Sequence, residues 1–338
     1  MHLLVFSMQH NVLSSMPSLT FVLIFCATAI IFLFLTVWPI LSPGVVGSHV
    51  GEVVVITGAS SGIGAELAVQ YAKAGASIVV AARRQAELEG VVSLALKAGA
   101  PAAIAIRADM GLQADCERVI NATLEKFGGL DTLIINHAMF DEGLFVDRKD
   151  FEKTLLSQFH VNVMGAVYTI RAALPFLEAS ARGGHVVEVS SGTTLIAAPF
   201  HPGYGTTKTA LRGLIKHISA ELSLLYSPVR FTTCILGLIG TPEVVVTEGL
   251  RALAYPVVST ARDIIVAAQN GVREAFVPHW VSFGATLSFL DPTYAKVVEH
   301  YFMSAMYTFR VPEYVEQLKV SDRRKATGNS NESANEDL

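Results

Sequence analysis

Residues 53–75 read VVVITGASSGIGAELAVQYAKAG, a β-branched run that enters a glycine-rich turn and continues as a helical pattern. The apolar run predicts a buried strand, and Gly58, Gly62 and Gly64 open the helix that follows it. Glycine permits a tight turn and close approach of a ligand to the backbone, and the amides at a helix N-terminus bind phosphate. In this strand, turn and helix context, the pattern predicts a dinucleotide-binding site rather than a tight turn alone.

The same alternation of β-branched runs and helical patterns continues to about residue 277. It predicts a doubly wound α/β domain, with a parallel, seven-stranded Rossmann sheet and helices on both faces. The predicted strands are 53–57, 77–82, 102–107, 131–135, 185–190, 230–236 and 274–278.

Both ends of the chain differ in composition from this domain, which we place at residues 49–280. Residues 19–41 carry no charged side chain, and about 20 apolar residues are enough to cross a membrane as a helix, so residues 1–48 are predicted to be a membrane anchor and linker. Residues 281–318 form an apolar extension rich in aromatic residues and methionine, which fits either core packing or a lid, dimer or membrane contact. The polar stretch 319–338 predicts a disordered tail.

The apolar N-terminal run is longer than the ~7 to 15 residue core of a signal peptide and lacks a basic flank, which favours an uncleaved anchor over a cleaved signal. Its orientation stays open, because no lysine or arginine precedes Lys73 and the positive-inside rule has nothing to count. The acceptor sequences at Asn121 and Asn331 can carry sugar only if they enter the lumen. Three cysteines are too few to identify the redox compartment.

The overall composition indicates which partners to expect. Hydrophobic residues make up 51% of the chain and the mean hydropathy is +0.47, which favours contact of part of the chain with lipid. The net charge of -4 and the scattered basic residues argue against nucleic-acid binding. We therefore expect a membrane as a partner and no nucleic acid, and we expect no metal site.

Two arginines follow the second predicted strand, where an NAD enzyme usually has an acidic residue for the ribose hydroxyls. This chain has Ala82 there, followed by Arg83 and Arg84. The pair could be two solvated side chains at a strand end. Because the acid is absent, we favour a guanidinium site for the 2′-phosphate, and therefore NADP (NADPH) as the cofactor.

Other polar residues follow the third and fourth predicted strands. Asp109 can accept a hydrogen bond from the adenine amine, and Asn136, His137 and Ala138 come directly after the fourth strand. Asp and Asn are also common in ordinary turns. Their position at the carboxyl ends of parallel strands, where ligands of open α/β sheets bind, favours a role in the cofactor site.

The stretch YGTTK, residues 204–208, places Tyr204 and Lys208 on one face of a predicted helix, and Ser191 ends the fifth strand. Such a pair occurs by chance in many helices. Reduction of a ketone by hydride, however, leaves an alkoxide that needs a proton donor, and tyrosine with a pKa of about 10 is a weak one. A lysine cation about 5 Å away stabilises the phenolate by roughly 3 kcal/mol, or about two pKa units, before lysine desolvation is subtracted.

The ordered set TGASSGIG, NHA, Ser191 and YGTTK resembles the short-chain dehydrogenase/reductase family over residues of about 50 to 280. The resemblance implies that Asn162 holds a relay water, Ser191 binds the substrate oxygen, Tyr204 is the acid and base, and Lys208 activates Tyr204. The cofactor-binding set is then Gly58, Ser60, Ser61, Gly62, Ile63, Gly64, Arg83, Arg84, Asp109, Met110, Asn136, His137, Ala138, Tyr204, Lys208 and Thr241.

Within that family, GGLDTLIINHA, RAALPFLE, VVEVSSG and TCILGLIGTPE are most similar to the 11β-hydroxysteroid dehydrogenase type 1 group. That similarity implies an N-terminal anchor, an endoplasmic reticulum membrane with a lumenal catalytic domain, a homodimer and a hydroxysteroid-like lipid substrate. The chain departs from the group at Ser61, where the group often has lysine, and at Ala198, where it has tyrosine. Pro39 and Pro43 keep open a lipid droplet, the location of the plant steroleosins that also resemble the chain.

The leading hypothesis is a membrane-anchored NADP(H)-dependent oxidoreductase that interconverts a ketone and a secondary alcohol. A retinoid or sphingoid-base reductase on the same scaffold is the alternative enzyme. The alternative that is not an enzyme is a membrane-tethered scaffold that binds a nucleotide without turnover. The presence of all four predicted catalytic residues, Asn162, Ser191, Tyr204 and Lys208, argues against that scaffold.

Overall fold

The computed structural model describes residues 44–241, 254–279 and 281–282, together with the isolated positions 27 and 30. Apart from those positions and residues 281–282, the predicted membrane anchor, apolar extension and polar tail lie outside the described residues and stay predictions. Among the residues that are described, no helix is both long enough and apolar enough to cross a membrane.

The sheet has seven parallel strands in the order β3-β2-β1-β4-β5-β6-β7, which confirms the predicted Rossmann architecture. Every strand lies within one residue of its predicted bounds, because each is a β-branched run bounded by turn residues. The strands are β1 (Val53–Thr57), β2 (Ser77–Ala82), β3 (Ala103–Arg107), β4 (Thr132–Ile135), β5 (His185–Val189), β6 (Arg230–Leu236) and β7 (Glu274–Val277).

Helices connect the strands and cover both faces of the sheet. A π-helical turn, His160–Met164, joins α4 to α5, and short 3-10 turns lie at Phe145–Asp147 and Gly192–Thr194. The α-helices of the described domain are α1 (Gly62–Lys73), α2 (Gln85–Ala98), α3 (Gln113–Phe127), α4 (Phe151–Phe159), α5 (Gly165–Ala179), α6 (Pro202–Leu224) and α7 (Val257–Gln269).

Two hydrophobic cores lie on opposite faces of the sheet. One packs α1, α2 and α7 against strand residues such as Val54 and Ile56, and the other packs α3, α5 and α6 against residues such as Val55 and Leu133. Successive residues of a strand point to opposite faces, so a strand covered on both sides must be apolar throughout. This is why the strands are near-continuous apolar runs rather than alternating ones.

The order in which strands are added to the sheet reverses at β1. The chain runs outward from β1 through β2 to β3, then returns to β4 on the other side of β1. The connections after β1 and β4 therefore leave the sheet on opposite faces, and a crevice opens between their carboxyl ends. The glycine turn after β1 borders this crevice.

At the opposite, amino edge of the sheet, the segment before β1 is fixed to the domain. The Gln269 side chain accepts a hydrogen bond from the Gly47 amide at 2.9 Å and donates one to the Val45 carbonyl at 2.8 Å. Glu52 is buried and accepts from Thr132 Oγ1. Although burial opposes it, hydrogen bonds to His49 and Thr132 hold the pKa of Glu52 below its ordinary value. The segment before β1 is therefore bonded to the end of α7.

Two helical glycines provide a matched test of the packing. A Cβ at Gly165 would lie 2.2 Å from the Met110 carbonyl oxygen, whereas a Cβ at Gly90 on α2 would meet nothing within 4 Å. Gly165→Ala should lower the free energy of unfolding by about 1–3 kcal/mol through overpacking. Gly90→Ala should raise it by about 0.5–1 kcal/mol, because alanine favours the helix. Urea unfolding of both variants checks this, and equal effects would contradict the close approach at Gly165.

Candidate active site

The turn between β1 and α1 requires glycine for two physical reasons. Gly58 and Gly62 have positive φ angles of 65° and 57°, a region that strains other residues. A Cβ at Gly58 would also lie 2.6 Å from His137 Cα, and a Cβ at Gly64 would lie 2.6 Å from the Gly58 carbonyl oxygen. In the described part of the chain, the N-cap residue Ser61 makes no side-chain capping hydrogen bond, and the first amides of a helix are groups that can bind phosphate.

Asn136 ties this turn to the end of β4. Its side-chain amide donates to the carbonyls of Thr57 at 3.1 Å and Gly58 at 3.0 Å. Its own backbone amide donates to Thr57 Oγ1 at 3.1 Å. The side chain therefore holds the glycine turn in shape, which is the bracing role that an asparagine in a loop can have.

His137, the next residue, is buried and hydrogen-bonded on both ring nitrogens. Nδ1 lies 2.8 Å from Thr57 Oγ1 and Nε2 lies 3.1 Å from the Val161 carbonyl oxygen. Burial, assisted by the charge of Lys208, lowers the pKa of His137 to about 3. Because a carbonyl only accepts, the neutral ring carries its proton on Nε2 and leaves Nδ1 unprotonated beside Thr57 Oγ1. His137 is thus a neutral brace between β4 and the π-helical turn.

The two predicted arginines differ in their surroundings. Arg84 Nη2 donates to the hydroxyls of Ser60 and Ser61, at 2.8 Å each, and so lies against the glycine turn. Both arginines are exposed, and Ala82 is buried at the end of β2. Sequence reasoning alone could not separate the two arginines, because which of them turns back toward α1 depends on the tertiary packing.

The loop after β3 approaches the same crevice. Asp109 Oδ1 accepts from the Gly111 amide at 2.9 Å, and the Asp109 amide donates to Asp115 Oδ2 at 2.7 Å. Met110 is buried beside Gly165, whose missing side chain lets α5 pack against the Met110 carbonyl. Asp109 and Met110 therefore lie in a rigid loop at the carboxyl edge.

The predicted Tyr204 and Lys208 pair lies in the first two turns of α6, as the four-residue spacing indicates. Lys208 is 2% exposed, and its Nζ donates to the Val189 carbonyl at the end of β5 at 2.8 Å. Nζ lies 5.9 Å from the centroid of the Tyr204 ring. The Ser191 hydroxyl, just after β5, lies close enough to the Tyr204 hydroxyl to lower its pKa. The structure thus brings these three predicted residues together.

The electrostatics of this cluster differ from the expectation based on the lysine alone. Burial raises the pKa of Tyr204 to about 12, while the nearby Ser191 hydroxyl acts in the opposite direction. Burial also lowers the pKa of Lys208, and the nearby Glu188 carboxylate opposes that shift. In this structure Tyr204 is therefore a protonated phenol at neutral pH, in the state needed to donate a proton.

Asn162 lies in the π-helical turn between α4 and α5, and both polar atoms of its side chain are hydrogen-bonded. Nδ2 donates to the Met139 carbonyl at 3.0 Å and to Thr207 Oγ1 at 2.9 Å, and Oδ1 accepts from the Met139 amide at 2.6 Å. These bonds join the loop after β4 to α6. Single π-helical turns are frequent at functional sites. The sequence gives no signal for this turn.

An aromatic surface that the sequence reasoning missed stands beside Tyr204. The Phe140 ring lies 5.1 Å from the Tyr204 ring in an edge-to-face arrangement and 5.0 Å from the His201 ring. Phe140 is 45% exposed, so it forms part of an open apolar wall. The loop that carries Phe140 is held by an ion pair between Arg148 and Asp141. This wall suits an apolar substrate better than a charged one.

The remaining predicted residues also follow strands at this edge. Ile63 is half-buried in α1 and Ala138 is exposed after β4. Thr241 comes after β6 and its amide donates to the Ile239 carbonyl at 2.9 Å. Because all strands are parallel, every predicted cofactor and catalytic residue lies at or near the carboxyl edge of the sheet.

Comparison with known proteins identifies the family. Residues 52–248 match the family model for short chain dehydrogenase. The chain is 39% identical over 245 residues to the hydroxysteroid 11-beta-dehydrogenase 1-like protein of Danio rerio, which covers 70% of this chain and 82% of that protein. The chain belongs to the short-chain dehydrogenase family. It is also 34% identical over 247 residues to 11-beta-hydroxysteroid dehydrogenase 1A of Arabidopsis thaliana, covering 68% of this chain and 69% of that one.

Solved structures share the fold. A short chain dehydrogenase/reductase from Burkholderia phymatum in complex with NAD aligns with a TM-score of 0.62 at 24% identity, over 72% of this chain and 95% of that one. An alcohol dehydrogenase from Thermococcus sibiricus complexed with 5-hydroxy-NADP aligns with a TM-score of 0.58 at 24% identity, over 67% and 94%. As a member of this family, the protein is an oxidoreductase that resembles hydroxysteroid 11-beta-dehydrogenases.

The neutral state of His137 predicts a pH dependence of stability. An unfolded histidine has a pKa of about 6.5, whereas folded His137 has a pKa of about 3, so the unfolded chain binds an extra proton as the pH falls below 6.5. The resulting loss of stability between pH 7 and pH 5 is about 2 kcal/mol. In His137→Asn this loss should be smaller by that amount, as measured by urea unfolding at both pH values. An unchanged loss would mean that His137 is charged in the folded protein.

Proposed function

We propose that this oxidoreductase is a membrane-anchored, NADP(H)-dependent enzyme that interconverts a ketone and a secondary alcohol on a hydroxysteroid-like lipid. The observation that carries the proposal is the cluster of Ser191, Tyr204 and Lys208 beside the glycine turn at the carboxyl edge. The exposed Phe140 surface beside Tyr204 supports an apolar substrate. Relatives that are called hydroxysteroid dehydrogenases support the substrate class.

The residues of the glycine turn fit a dinucleotide cofactor. The turn has no Cβ atoms at Gly58, Gly62 and Gly64, and it leads into the uncapped N-terminus of α1, where a pyrophosphate can bind backbone amides. When bound, the nicotinamide cofactor supplies or accepts the hydride. Arg83 and Arg84 would hold the 2′-phosphate, and Lys208 would bind the nicotinamide ribose.

The proton chemistry belongs to the protein. The Ser191 hydroxyl binds the substrate oxygen. The Tyr204 phenol donates its proton to that oxygen during reduction, and the Tyr204 phenolate removes the proton during oxidation. Lys208 stabilises the phenolate that remains, which the high pKa of Tyr204 otherwise disfavours. Asn162 fixes the loop after β4 against α6 and thereby holds the wall of the site in place.

Removal of one oxygen atom tests this assignment. Tyr204→Phe should lower kcat by at least about 10²-fold, a typical contribution of a general acid, while the protein still binds NADPH. The matched control is Tyr226→Phe, which removes the same atom from a residue that is 94% exposed and should leave turnover unchanged. Turnover is measured by product analysis with NADPH or NADP and a panel of keto- and hydroxysteroids, retinoids and sphingoid ketones. Unchanged turnover in Tyr204→Phe would refute the role of Tyr204.

The cofactor preference rests on the arginines. One charge-assisted contact to the 2′-phosphate is worth roughly 1.5–3 kcal/mol, which corresponds to about 10- to 150-fold in relative affinity. Arg83→Ala should remove most of the preference for NADPH over NADH. Arg84→Ala should remove less, because Arg84 is already hydrogen-bonded to Ser60 and Ser61. The ratio of kcat/KM for the two cofactors measures this, and a parent enzyme that uses NADH equally well would contradict the assignment.

We further propose that residues 19–41 anchor the protein in the endoplasmic reticulum membrane, with the catalytic domain in the lumen, and that the enzyme is a homodimer. An apolar groove between α5 and α6, lined by Ile170, Leu174 and Ile218 among others, supports a contact between two copies. The apolar, uncharged run in the sequence supports the anchor.

Deletion of residues 1–43 tests the anchor. It removes the apolar run and keeps the segment from residue 44 onward that is hydrogen-bonded to Gln269. The truncated protein should be released at least partly by carbonate extraction, whereas the full chain should stay with the membrane. If the truncated protein stays completely in the membrane fraction, residues 281–318 and not residues 19–41 are the anchor. In sealed vesicles, protease resistance of the catalytic domain supports the lumenal placement, and digestion contradicts it.

A further inference from the structure

A row of side chains crosses the sheet beneath α6, next to the candidate active site. Glu188 on β5, Thr233 on β6 and Glu274 on β7 are in register, so their side chains share one face. Above this row, α6 has a stripe of three cations at four-residue spacing. The stripe consists of Lys208, Arg212 and Lys216.

Two of these three cations already have a carboxylate. Glu274 Oε1 lies 2.8 Å from Arg212 Nε and 3.0 Å from Lys216 Nζ. These contacts hold the pKa of Glu274 below its ordinary value although burial opposes it. Within the described residues, Lys208 forms no ion pair of this kind, and its ammonium is bonded to the Val189 carbonyl. The cation proposed to act in catalysis is therefore the one without a carboxylate in direct contact.

Glu188 is the other carboxylate of the row, and it is completely buried. Its Oε2 accepts from Thr233 Oγ1 at 2.9 Å, while Oε1 has no hydrogen-bond partner among the described residues. Ser190 Oγ is also buried, and in the part of the chain that the structure describes it has no hydrogen-bond partner, although it is close enough to lower the pKa of Glu188. Burial raises that pKa overall, and the charge of Lys208 is the largest effect that opposes burial.

The other ionisable groups around Glu188 do not replace Lys208 as its partner. Arg212 on α6 is bonded to Glu274. Tyr204 on the same helix and Cys234 on β6 are both kept neutral, because burial raises the pKa of each. His137, after β4, is kept neutral by the lowering of its pKa. A buried ionised group is costly unless an opposite charge compensates it, so Glu188 and Lys208 have reason to stabilise each other.

We propose that Glu188 is the buried counter-ion of Lys208. It is a positioning residue on β5, and its negative charge keeps the Lys208 ammonium protonated. The proposal rests on the proposed function for the roles of Lys208 toward Tyr204 and the cofactor. The carboxylate lies on β5, one residue before Val189, whose carbonyl receives the Lys208 hydrogen bond. The charge of Lys208 is thus compensated by a carboxylate that does not contact the hydroxyls of Ser191 and Tyr204. A carboxylate in contact with those hydroxyls would accept their hydrogen bonds and so compete with the substrate.

A thermal unfolding cycle tests the pair independently of turnover. Lys208→Met leaves the buried carboxylate without its cation, and Glu188→Gln leaves the cation without its carboxylate, so each change alone should lower the Tm. The double variant should recover at least half of the loss caused by Lys208→Met. The matched control, Glu274→Gln combined with Lys208→Met, should recover nothing. Losses that simply add in the Glu188 and Lys208 double variant would overturn the proposal.

A second measurement uses Glu188→Gln alone, which is nearly isosteric. Loss of a nearby anion lowers the pKa of a lysine, so Lys208 should lose its charge at lower pH in the variant. NADPH binding is followed by fluorescence from pH 6 to pH 10. In Glu188→Gln, binding should begin to weaken about one pH unit lower than in the parent. The control variant Glu274→Gln should weaken at the same pH as the parent. An unshifted profile in Glu188→Gln would overturn the proposal. If the parent does not bind NADPH at all, the proposed cofactor is wrong, and the Tm cycle still decides the ion pair.

Discussion

The arrangement of the site depends on one buried ammonium group. Lys208 is almost fully enclosed between α6 and the end of β5, and its hydrogen bond to the Val189 carbonyl fixes the helix to the strand. Enclosure of a charge is unfavourable unless the surrounding structure provides acceptors and opposite charge. The same bond sets the position of Tyr204 one turn earlier on α6, and thereby the position of the phenol relative to Ser191.

The carboxyl edge around this lysine is held by polar contacts whose partners are far apart in the sequence. Asn136 fixes the glycine turn, His137 joins β4 to the π-helical turn, and Asn162 joins that turn to α6 through Thr207. Each contact uses a side chain that would otherwise be an unsatisfied polar group in the interior. The cofactor half and the catalytic half of the site are therefore braced against each other, which favours the fixed geometry that proton and hydride transfer require.

The strands and the glycine turn could be predicted because their signals are local. β1 is an apolar β-branched run, and Gly58 is required by a backbone conformation that is typical of this turn. The spacing of Tyr204 and Lys208 predicted their common helix face for the same reason. The π-helical turn at Asn162, the contact of Arg84 rather than Arg83 with the glycine turn, and the row that contains Glu188 could not be predicted. They depend on which helix packs over which strand, and no local pattern specifies that.

We propose that this edge of the sheet transfers a hydride between a nicotinamide cofactor and a lipid carbonyl, with Tyr204 supplying the proton. The most direct measurement supplies the full-length protein with NADPH deuterated at C4, using each of the two stereoisomers in turn, and a ketosteroid. The account predicts that one isomer delivers deuterium to the carbinol carbon of the alcohol, and that the Tyr204→Phe variant forms little of this product. An alcohol without deuterium from either isomer, or the same yield from the variant, would contradict it.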